Sequence, residues 1–239
     1  QSDDLVWNAE SKRVDRVERL SFGALVLDES RTRARASEGA SRVLARAALS
    51  SAEILSAGAG LDTLLRRIEL AREHLPESAF PALGPETRAE AVEAACAGIT
   101  SLEELCVTPL SMGVLASLSN DQQRLLAAEL PERARLGPGR SVEVHYEPGR
   151  PPWIESRLQD FFGSAAGPSL GRGRLPLTLH LLAPNQRAVQ VTTDLEGFWQ
   201  RHYPGIRREL MRRYPRHGWP EDGRHAEPPP PRPPRRPLK

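Results

Sequence analysis

The stretch LPLTLHLLAPNQRAVQVTTDLEGFWQRHYPGIRRELMRRYPRHGW, residues 175–219, carries the clearest structural signals in the chain. It opens with two runs rich in strand formers, Leu175–Leu182 and Ala188–Thr192. The segment between them, Ala183–Arg187, has the composition of a turn, with proline and asparagine near its centre. Two strands joined by such a turn predict a β-hairpin.

Two nearly continuous helices are expected after the hairpin. The run Thr193–Glu196 has the form of a capping box, with an acidic residue in the first turn where the helix dipole favours an anion. We expect the first helix to reach Tyr203, and Pro204 suits the first turn of a second helix that extends to about Tyr214. Apolar residues at spacings of three and four form one stripe along both helices: Trp199, Tyr203, Ile206, Leu210 and Tyr214.

Six arginines lie off this stripe and are candidate nucleic-acid ligands. They are Arg201, Arg207, Arg208, Arg212, Arg213 and Arg216. One interpretation is a solvated outer face over an aromatic core, partly neutralised by a pair between Glu209 and Arg213. The other is a ridge of guanidinium groups that contacts phosphates. The pattern alone leaves both open.

The glycine-rich segment before the hairpin offers two further candidate sites. Arg172 and Arg174 could hold a phosphate or simply shape the loop. The run Gly167–Gly171 also matches the Gly-x-Ser-x-Gly nucleophile elbow, which needs a strand before the serine and a helix after it. A loop precedes Ser169 and a strand is expected after it, so a flexible loop is the favoured interpretation.

The sequence upstream changes character twice. Residues 5–29 hold strand formers around the turn-like cluster Asn8–Ser11 and predict two strands. Residues 37–130 are rich in alanine and leucine at helical spacing and predict five or six short helices, one with a capping box that starts at Thr100 or Ser101. Breaks between helices are expected near Gly58–Gly60, Pro76–Pro85 and Pro109.

A mixed pattern begins at Gly137. Ser141–Tyr146 alternates as a strand, and Ile154–Phe162 is expected to form a helix that ends at Gly163. After Pro220 the chain becomes rich in proline and arginine. Such sequence cannot bury apolar area, so it predicts a disordered, polyproline-like tail.

The charge of the chain is unevenly distributed. The net charge is +2, but residues 198–239 alone carry +7, which leaves −5 for the remainder. Lysine occurs only at Lys12 and Lys239, so nearly all the positive charge is arginine. Arginine suits bidentate phosphate contacts, and the C-terminal end is therefore the part best suited to a phosphate partner.

The sequence offers no catalytic residue, no cofactor ligand and no metal ligand. A phosphate-binding loop ends in Gly-Lys-Ser/Thr, whereas Lys12 follows Ser11 and Lys239 ends the chain. No histidine or cysteine pair has metal-ligand spacing. Cys96 and Cys106 are expected to be buried free thiols of a reducing, cytoplasmic compartment.

A membrane partner is not expected either. No run approaches the roughly 18 to 20 apolar residues that a membrane span needs, and the acidic start Gln1–Asp4 lacks the features of a signal peptide. A chain that begins without methionine inside a strand-like pattern looks like a fragment of a longer protein.

Several motifs between residues 137 and 222 occur together. The longest are GRPPW (149–153), RLQDFFG (157–163), GRLPLTLHLLAP (173–184), VQVTTDL (189–195) and RYPRHGWPED (213–222). Together they closely resemble the C-terminal domain of bacterial HrpB-type ATP-dependent RNA helicases of the DEAH/RHA group. Upstream, Trp7-Asn8 and Arg19–Leu27 look like the last strands of the family's small barrel, and Ala97–Leu102 is similar to its helical connector.

We therefore expect an α+β fold in four parts. The resemblance implies the last strands of an OB-like barrel at residues 1–32, a helical connector at 33–136 and a compact α/β C-terminal domain at 137–222. The disordered tail at 223–239 is expected from its composition and departs from the family match. It also implies two RecA-like motor domains upstream, which would hold ATP and Mg²⁺. No motif of those domains lies in this sequence.

Two functional hypotheses follow. In the first, the chain is a non-motor accessory region that packs on its own upstream motor domains and contacts RNA or DNA, most simply as a single strand. In the second, it is a protein-interaction or scaffolding module with no direct nucleic-acid contact, and the proline-rich tail is a ligand segment.

The missing Gly-Lys-Ser/Thr loop leads to a direct prediction. The purified 239-residue chain should release no phosphate from ATP above the background of a mock preparation, because no lysine stands beside a glycine turn. A malachite-green assay checks this, and turnover that co-purifies with the chain through two chromatographic steps would contradict it.

Overall fold

The computed structural model describes residues 2–23, 25–51, 59–84, 86–137 and 140–230. The described residues form two compact units. The first comprises those of Gln1–Glu69 and Phe80–Gln123, and the second those of Leu70–Ala79 and Arg124–Lys239. Each unit combines helices with sheet, in agreement with the expected mixed fold.

The sheet of the first unit has three antiparallel strands in the order β1-β2-β3. They are β1 (Ser2–Asn8), β2 (Arg13–Phe22) and β3 (Leu25–Arg33). The expectation of two strands is wrong, because the apolar run between Val14 and Leu27 reverses at Gly23, where φ is +59°. The predicted turn at Asn8 is confirmed, since its side-chain oxygen accepts from the amides of Glu10 and Ser11, both at 3.1 Å.

Six α-helices lie among the described residues of the segment 37–130, in agreement with the five or six expected there. They are α1 (Glu38–Leu49), α2 (Ala59–His74), α3 (Thr87–Ala95), α4 (Leu102–Cys106), α5 (Met112–Ser117) and α6 (Asn120–Glu129). Ser101 and Glu104 form the expected capping box of α4. None of the described helices is long and apolar enough to cross a membrane.

The expected helix breaks have different outcomes. Pro109 separates α4 from α5, and a short 3₁₀ helix at Pro76–Ser78 follows α2, so these two breaks are confirmed. Gly58 lies outside the described residues, and Gly60 is already inside α2.

The second unit contains seven short strands among its described residues. They are β4 (Arg133–Gly137), β5 (Arg140–Glu143), β6 (Trp153–Arg157), β7 (Ser169–Leu170), β8 (Leu175–Pro176), β9 (Thr178–Leu182) and β10 (Ala188–Thr192). The predicted hairpin is confirmed as the antiparallel pair β9–β10, with β6 parallel to β9 on the other side. The first predicted strand is interrupted at Leu177, whose amide donates to the Pro168 carbonyl at 3.2 Å.

The expected helix Ile154–Phe162 is wrong. Its first half is β6, and Leu158–Phe161 forms a short 3₁₀ helix. Ile154 and Leu158 are both fully buried, and that spacing of four is what made the segment look helical. Pairing with β9, which lies far along the chain, overrides the local pattern.

Two helices, α7 (Leu195–Arg201) and α8 (Tyr203–Arg213), complete the second unit. Residues from 223 onward were expected in the disordered tail, but Gly223 is buried and its carbonyl accepts from the Gly163 amide at 3.0 Å. A Cβ atom at Gly223 would lie 2.6 Å from the Trp199 ring, so the chain passes close against this side chain. Residues 231–239 of the predicted tail lie outside the described residues.

A buried carboxylate ties β5 and β6 together. Asp160 is 6% exposed. It accepts a hydrogen bond from Ser156 Oγ at 2.6 Å, and lies 2.8 Å from Arg140 and 3.2 Å from Arg157. Arg140 also donates to the Pro229 carbonyl, so the same cluster reaches the end of the described chain.

We predict that Asp160→Ala destabilises the chain by about 3–5 kcal/mol, because it leaves two largely buried guanidinium groups without their counter-charge. The exposed pair between Glu147 and Arg150 provides a matched control. Glu147→Ala should cost no more than about 1 kcal/mol. Urea unfolding followed by circular dichroism measures both, and equal costs for the two variants would refute this account.

Candidate nucleic-acid interface

The start of α7 is capped by Asp194. Its Oδ1 accepts from the Gly197 amide at 2.7 Å, and its Oδ2 accepts from Arg201 at 2.6 Å. These two hydrogen bonds, the backbone one first, lower the pKa of Asp194. The expected capping box from Thr193 to Glu196 is therefore wrong: the cap lies one residue later, at Asp194, and its N3 residue is a glycine that has no side chain to complete a box. The Arg201 guanidinium is held in an ion pair beside the cap.

The apolar stripe along α7 and α8 is confirmed as part of the core. Trp199, Tyr203 and Leu210 are buried, whereas Ile206 and Tyr214 are half-buried. The Trp199 indole donates to the Ser164 carbonyl at 2.8 Å, and the Tyr203 hydroxyl donates to the Pro220 carbonyl at 2.8 Å. The buried stripe fixes the rotation of α8 about its axis and turns the opposite face toward solvent.

Arg207 lies at the border of this exposed face. Its Nε donates to the Trp219 carbonyl at 2.8 Å, and its side chain is 21% exposed. The Glu221 carboxylate also lies 3.8 Å from the Arg207 guanidinium. Arg207 therefore fastens the segment after α8 and is less available to a ligand than its neighbours.

Three arginines of the predicted ridge are exposed and unengaged. Arg208, Arg212 and Arg216 form neither an ion pair nor a hydrogen bond within the part of the chain that the structure describes. Residues 208 and 212 are four apart in α8, so they share one face at an axial separation of about 6 Å. Arg216 lies in the turn just after the end of the helix. We call these three residues the arginine face.

Arg213 differs from the arginine face. Its guanidinium carbon lies 5.9 Å from the centre of the Tyr214 ring, a cation–π arrangement. The ion pair expected between Glu209 and Arg213 does not form among the described residues. The positive charge of α8 is consequently less neutralised than the sequence suggested.

Arg172 and Arg174 are brought together, but around a carboxylate. Both guanidinium groups contact Glu77, at 2.7 Å and 3.2 Å, and Arg174 also donates to the His74 carbonyl at 2.7 Å. The loop that presents them is tight, with φ of +58° at Arg172 between two left-handed glycines. A phosphate at this loop would have to compete with Glu77.

Ser169 is not placed as a nucleophile. It belongs to the two-residue strand β7, which pairs with β8 through the turn at Gly171–Arg174. No helix follows the serine, so the geometry of a nucleophile elbow is absent from this described segment. The described residues also contain no group of His, Cys, Asp and Glu side chains suited to a metal ion.

The two cysteines have different environments. Cys96 is buried, and burial raises its pKa to about 11. Cys106 is exposed, so the expectation of two buried thiols is wrong for it. The helix α4 spans only five residues and buries Leu102 and Leu105, which leaves Cys106 on the outer side.

One cation was missed by sequence reasoning. Arg187 lies in the β9–β10 turn and lines, together with Arg213, a cleft of about 270 Å³ against α8. A turn arginine has no distinctive pattern, and the packing of the hairpin on α8 joins parts of the chain that local spacing does not connect.

More than half of the chain matches a known class of domain. The family model described as ATP-dependent helicase C-terminal (HrpB_C) matches residues 92–223. The chain belongs to this family. The match begins within α3 and ends where the described chain crosses Trp199.

The chain is similar to the ATP-dependent RNA helicase HrpB of Escherichia coli strain K12, with 33% identity over 179 residues. That alignment covers 73% of this chain and 22% of the relative. A crystal structure of the E. coli DExH-box NTPase HrpB matches with a TM-score of 0.70 and 28% identity, over 95% of this chain and 29% of the other. A structure titled as the E. coli DEAH/RHA helicase HrpB gives 0.61 and 28%, over 91% and 28% of the chains.

The buried hydroxyl of Tyr203 gives a prediction about alkaline stability. Burial raises the pKa of Tyr203 to about 12, whereas an unfolded tyrosine titrates near about 10. The unfolded state therefore loses this proton first, so the contribution to stability is complete below about pH 10 and is lost as the pH rises toward 12. Tyr203→Phe should make the decline of unfolding free energy above pH 10 shallower.

At neutral pH the same variant should lose about 1 kcal/mol, because the Pro220 carbonyl loses its donor. Tyr214→Phe is the matched control, since the Tyr214 hydroxyl makes no hydrogen bond within the described residues. Urea midpoints at neutral and alkaline pH test both statements. An unaltered alkaline decline in Tyr203→Phe would contradict the first.

Proposed function

We propose that this chain is the non-motor C-terminal accessory region of an ATP-dependent RNA helicase, and that it packs on the motor domains and contributes to nucleic-acid binding. Family membership and the printed name of the E. coli relative support the class of the parent protein. The chain spans only 22% of that relative. ATP and Mg²⁺ would be held by motor domains, because this sequence contains no Gly-Lys-Ser/Thr loop.

The observation that carries the nucleic-acid part is the arginine face, which consists of Arg208 and Arg212 of α8 and of Arg216 just after the helix. Its three arginine residues are exposed and form no ion pair within the described residues. A ligand can therefore bind their guanidinium groups without displacing a carboxylate. Guanidinium groups pair with phosphate oxygens in a charge-assisted, bidentate manner. An exposed basic face without internal ion pairs adds little to the stability of the fold. It can instead bind the phosphate backbone of a nucleic acid.

We propose a single strand, RNA before DNA, as the ligand. A few phosphate contacts along one short helix provide sequence-independent affinity that falls with salt, which is the usual behaviour of single-strand binding. RNA is placed first because the E. coli relative is named as an RNA helicase.

A separate surface supports docking on protein. The β2–β3 hairpin exposes large apolar side chains, each more than half exposed: Leu20, Phe22, Leu25, Val26 and Leu27. An apolar cluster of this kind marks a contact surface. It also favours the second candidate function, a protein-interaction module that does not touch nucleic acid.

We expect Arg208→Ala/Arg212→Ala to weaken RNA binding and to flatten its salt dependence. The slope of log K against log[salt] should fall by about 0.7 for each single-strand phosphate contact that is lost. Arg42→Ala/Arg46→Ala is the matched control, because it removes two arginines with the same spacing from α1. Filter binding over a salt series measures the slopes.

The outcomes separate the two candidate functions. A flattened slope in the α8 variant alone supports the arginine face. An unchanged slope would remove the arginine face from the interface. No retardation of RNA by the unsubstituted chain, at low or at physiological salt, would favour the interaction module instead.

A further inference from the structure

A cleft of about 270 Å³ lies between the turn of the β9–β10 hairpin and α8. The hairpin contributes Asn185 and Arg187, and α8 contributes Glu209, Leu210 and Arg213. Tyr214 closes the end nearest the C-terminus of the helix. The cleft belongs entirely to the second unit.

Two cations from separate elements meet at this cleft. Arg187 is exposed, and its side chain forms no ion pair within the described residues. Arg213 likewise has no carboxylate partner there and rests on the Tyr214 ring. Two unpaired guanidinium groups that line one small cleft offer several N–H donors to a single phosphate.

The turn holds Arg187 in place through its backbone. The Ala183 amide donates to the Arg187 carbonyl at 2.8 Å, and the Arg187 amide donates to Asn185 Oδ1 at 3.3 Å. Gln186 takes the left-handed conformation, with φ of +67°, that this tight turn requires. None of these interactions uses the Arg187 side chain, which is free for a ligand.

The other residues that line the cleft indicate whether its ligand is a bare anion or a nucleotide. Leu210 is buried and gives the cleft an apolar floor that inorganic phosphate would not use. The Glu209 carboxylate repels a bare anion but accepts hydrogen bonds from a base amino group or a ribose hydroxyl. The Asn185 amide group adds donors, because only its oxygen is engaged in the turn.

We infer that this cleft binds one nucleotide unit of a single strand, with its phosphate held by Arg187 and Arg213 and its base or sugar edge facing Glu209 and Asn185. A nucleotide combines an anion, polar edges and an apolar ring face, and the cleft supplies a partner for each. In a duplex the base edges are already paired, so a single strand is the form that fits. The inference rests on the proposed function and adds a specific subsite to it.

The test uses the 239-residue chain and a short fluorescein-labelled poly(U) RNA, followed by anisotropy over a salt series. Arg187→Ala should weaken binding about tenfold, the effect of losing one hydrogen-bonded charge, and should lower the salt slope by about 0.7. Arg187→Lys should keep the slope and recover part of the affinity, because it keeps the charge but not the bidentate geometry. Arg135→Ala, an exposed arginine of β4 outside the cleft, should change neither quantity.

Competition separates a nucleotide from a free phosphate. At equal millimolar concentrations, uridine 5′-monophosphate should displace the RNA further than inorganic phosphate does, and this difference should vanish in Arg187→Ala. Equal displacement by the two competitors would overturn the nucleotide assignment.

Failure of the cleft is distinguishable from failure of the proposed function. If Arg187→Ala binds like the unsubstituted chain while Arg208→Ala/Arg212→Ala is impaired, the cleft is overturned and the arginine face stands. If the unsubstituted chain binds no RNA, both are overturned. Unchanged thermal unfolding of Arg187→Ala confirms that a loss of binding is not a loss of fold.

Discussion

The contact between Trp199 and Tyr203 sets the orientation on which the candidate interface depends. Their rings meet edge to face, with centroids 5.1 Å apart, at the junction of α7 and α8. Such a pair adds about 0.5–1.5 kcal/mol to the free energy gained from burial alone. Phe162 and Gly223 pack on the Trp199 ring, so the sheet side and the last described segment are held by the same contact. Because this side of α8 is buried, Arg208 and Arg212 on the other side of the helix face solvent.

Local signals predicted the elements whose causes are local. The β9–β10 hairpin, the Ser101 cap and the stripe of Trp199 to Tyr214 each depend on residues within one or two turns of each other. The strand β6 was mistaken for a helix because its defining partner is β9, and pairing across that distance leaves no trace in periodicity. The chain reversal at Gly23 has a local cause, but a single glycine within a run of strand formers is a weak signal for a turn. The sequence therefore predicted one strand where the structure has two.

The candidate site was likewise predictable from the sequence only in part. The arginines of α8 could be located from their position off the apolar stripe, but the sequence did not say which of them are already occupied. Arg201 and Arg207 have internal partners at 2.6 Å and 2.8 Å, and Arg172 meets Glu77 across the fold. The charge of a segment predicts where a phosphate can bind. Only the packed structure shows which guanidinium groups are not already paired with other parts of the chain. Arg187 is a candidate because the hairpin turn and α8 line one cleft.

The distribution of charge between the two ends of the chain fits an accessory role better than an autonomous one. The final 42 positions, 198–239, carry +7 and the rest carries −5, so the net charge that attracts a polyanion is concentrated toward one end. Under the proposed function, phosphate contacts at that end would hold and orient a strand without reading its sequence. Under the proposed function this is the property that an energy-consuming partner needs from an accessory region, because a strand that moves past a fixed surface must be gripped equally well at each nucleotide. The cleft at Arg187 is compatible with that requirement, since a floor of apolar side chains and a pair of guanidinium groups recognise features that every nucleotide shares.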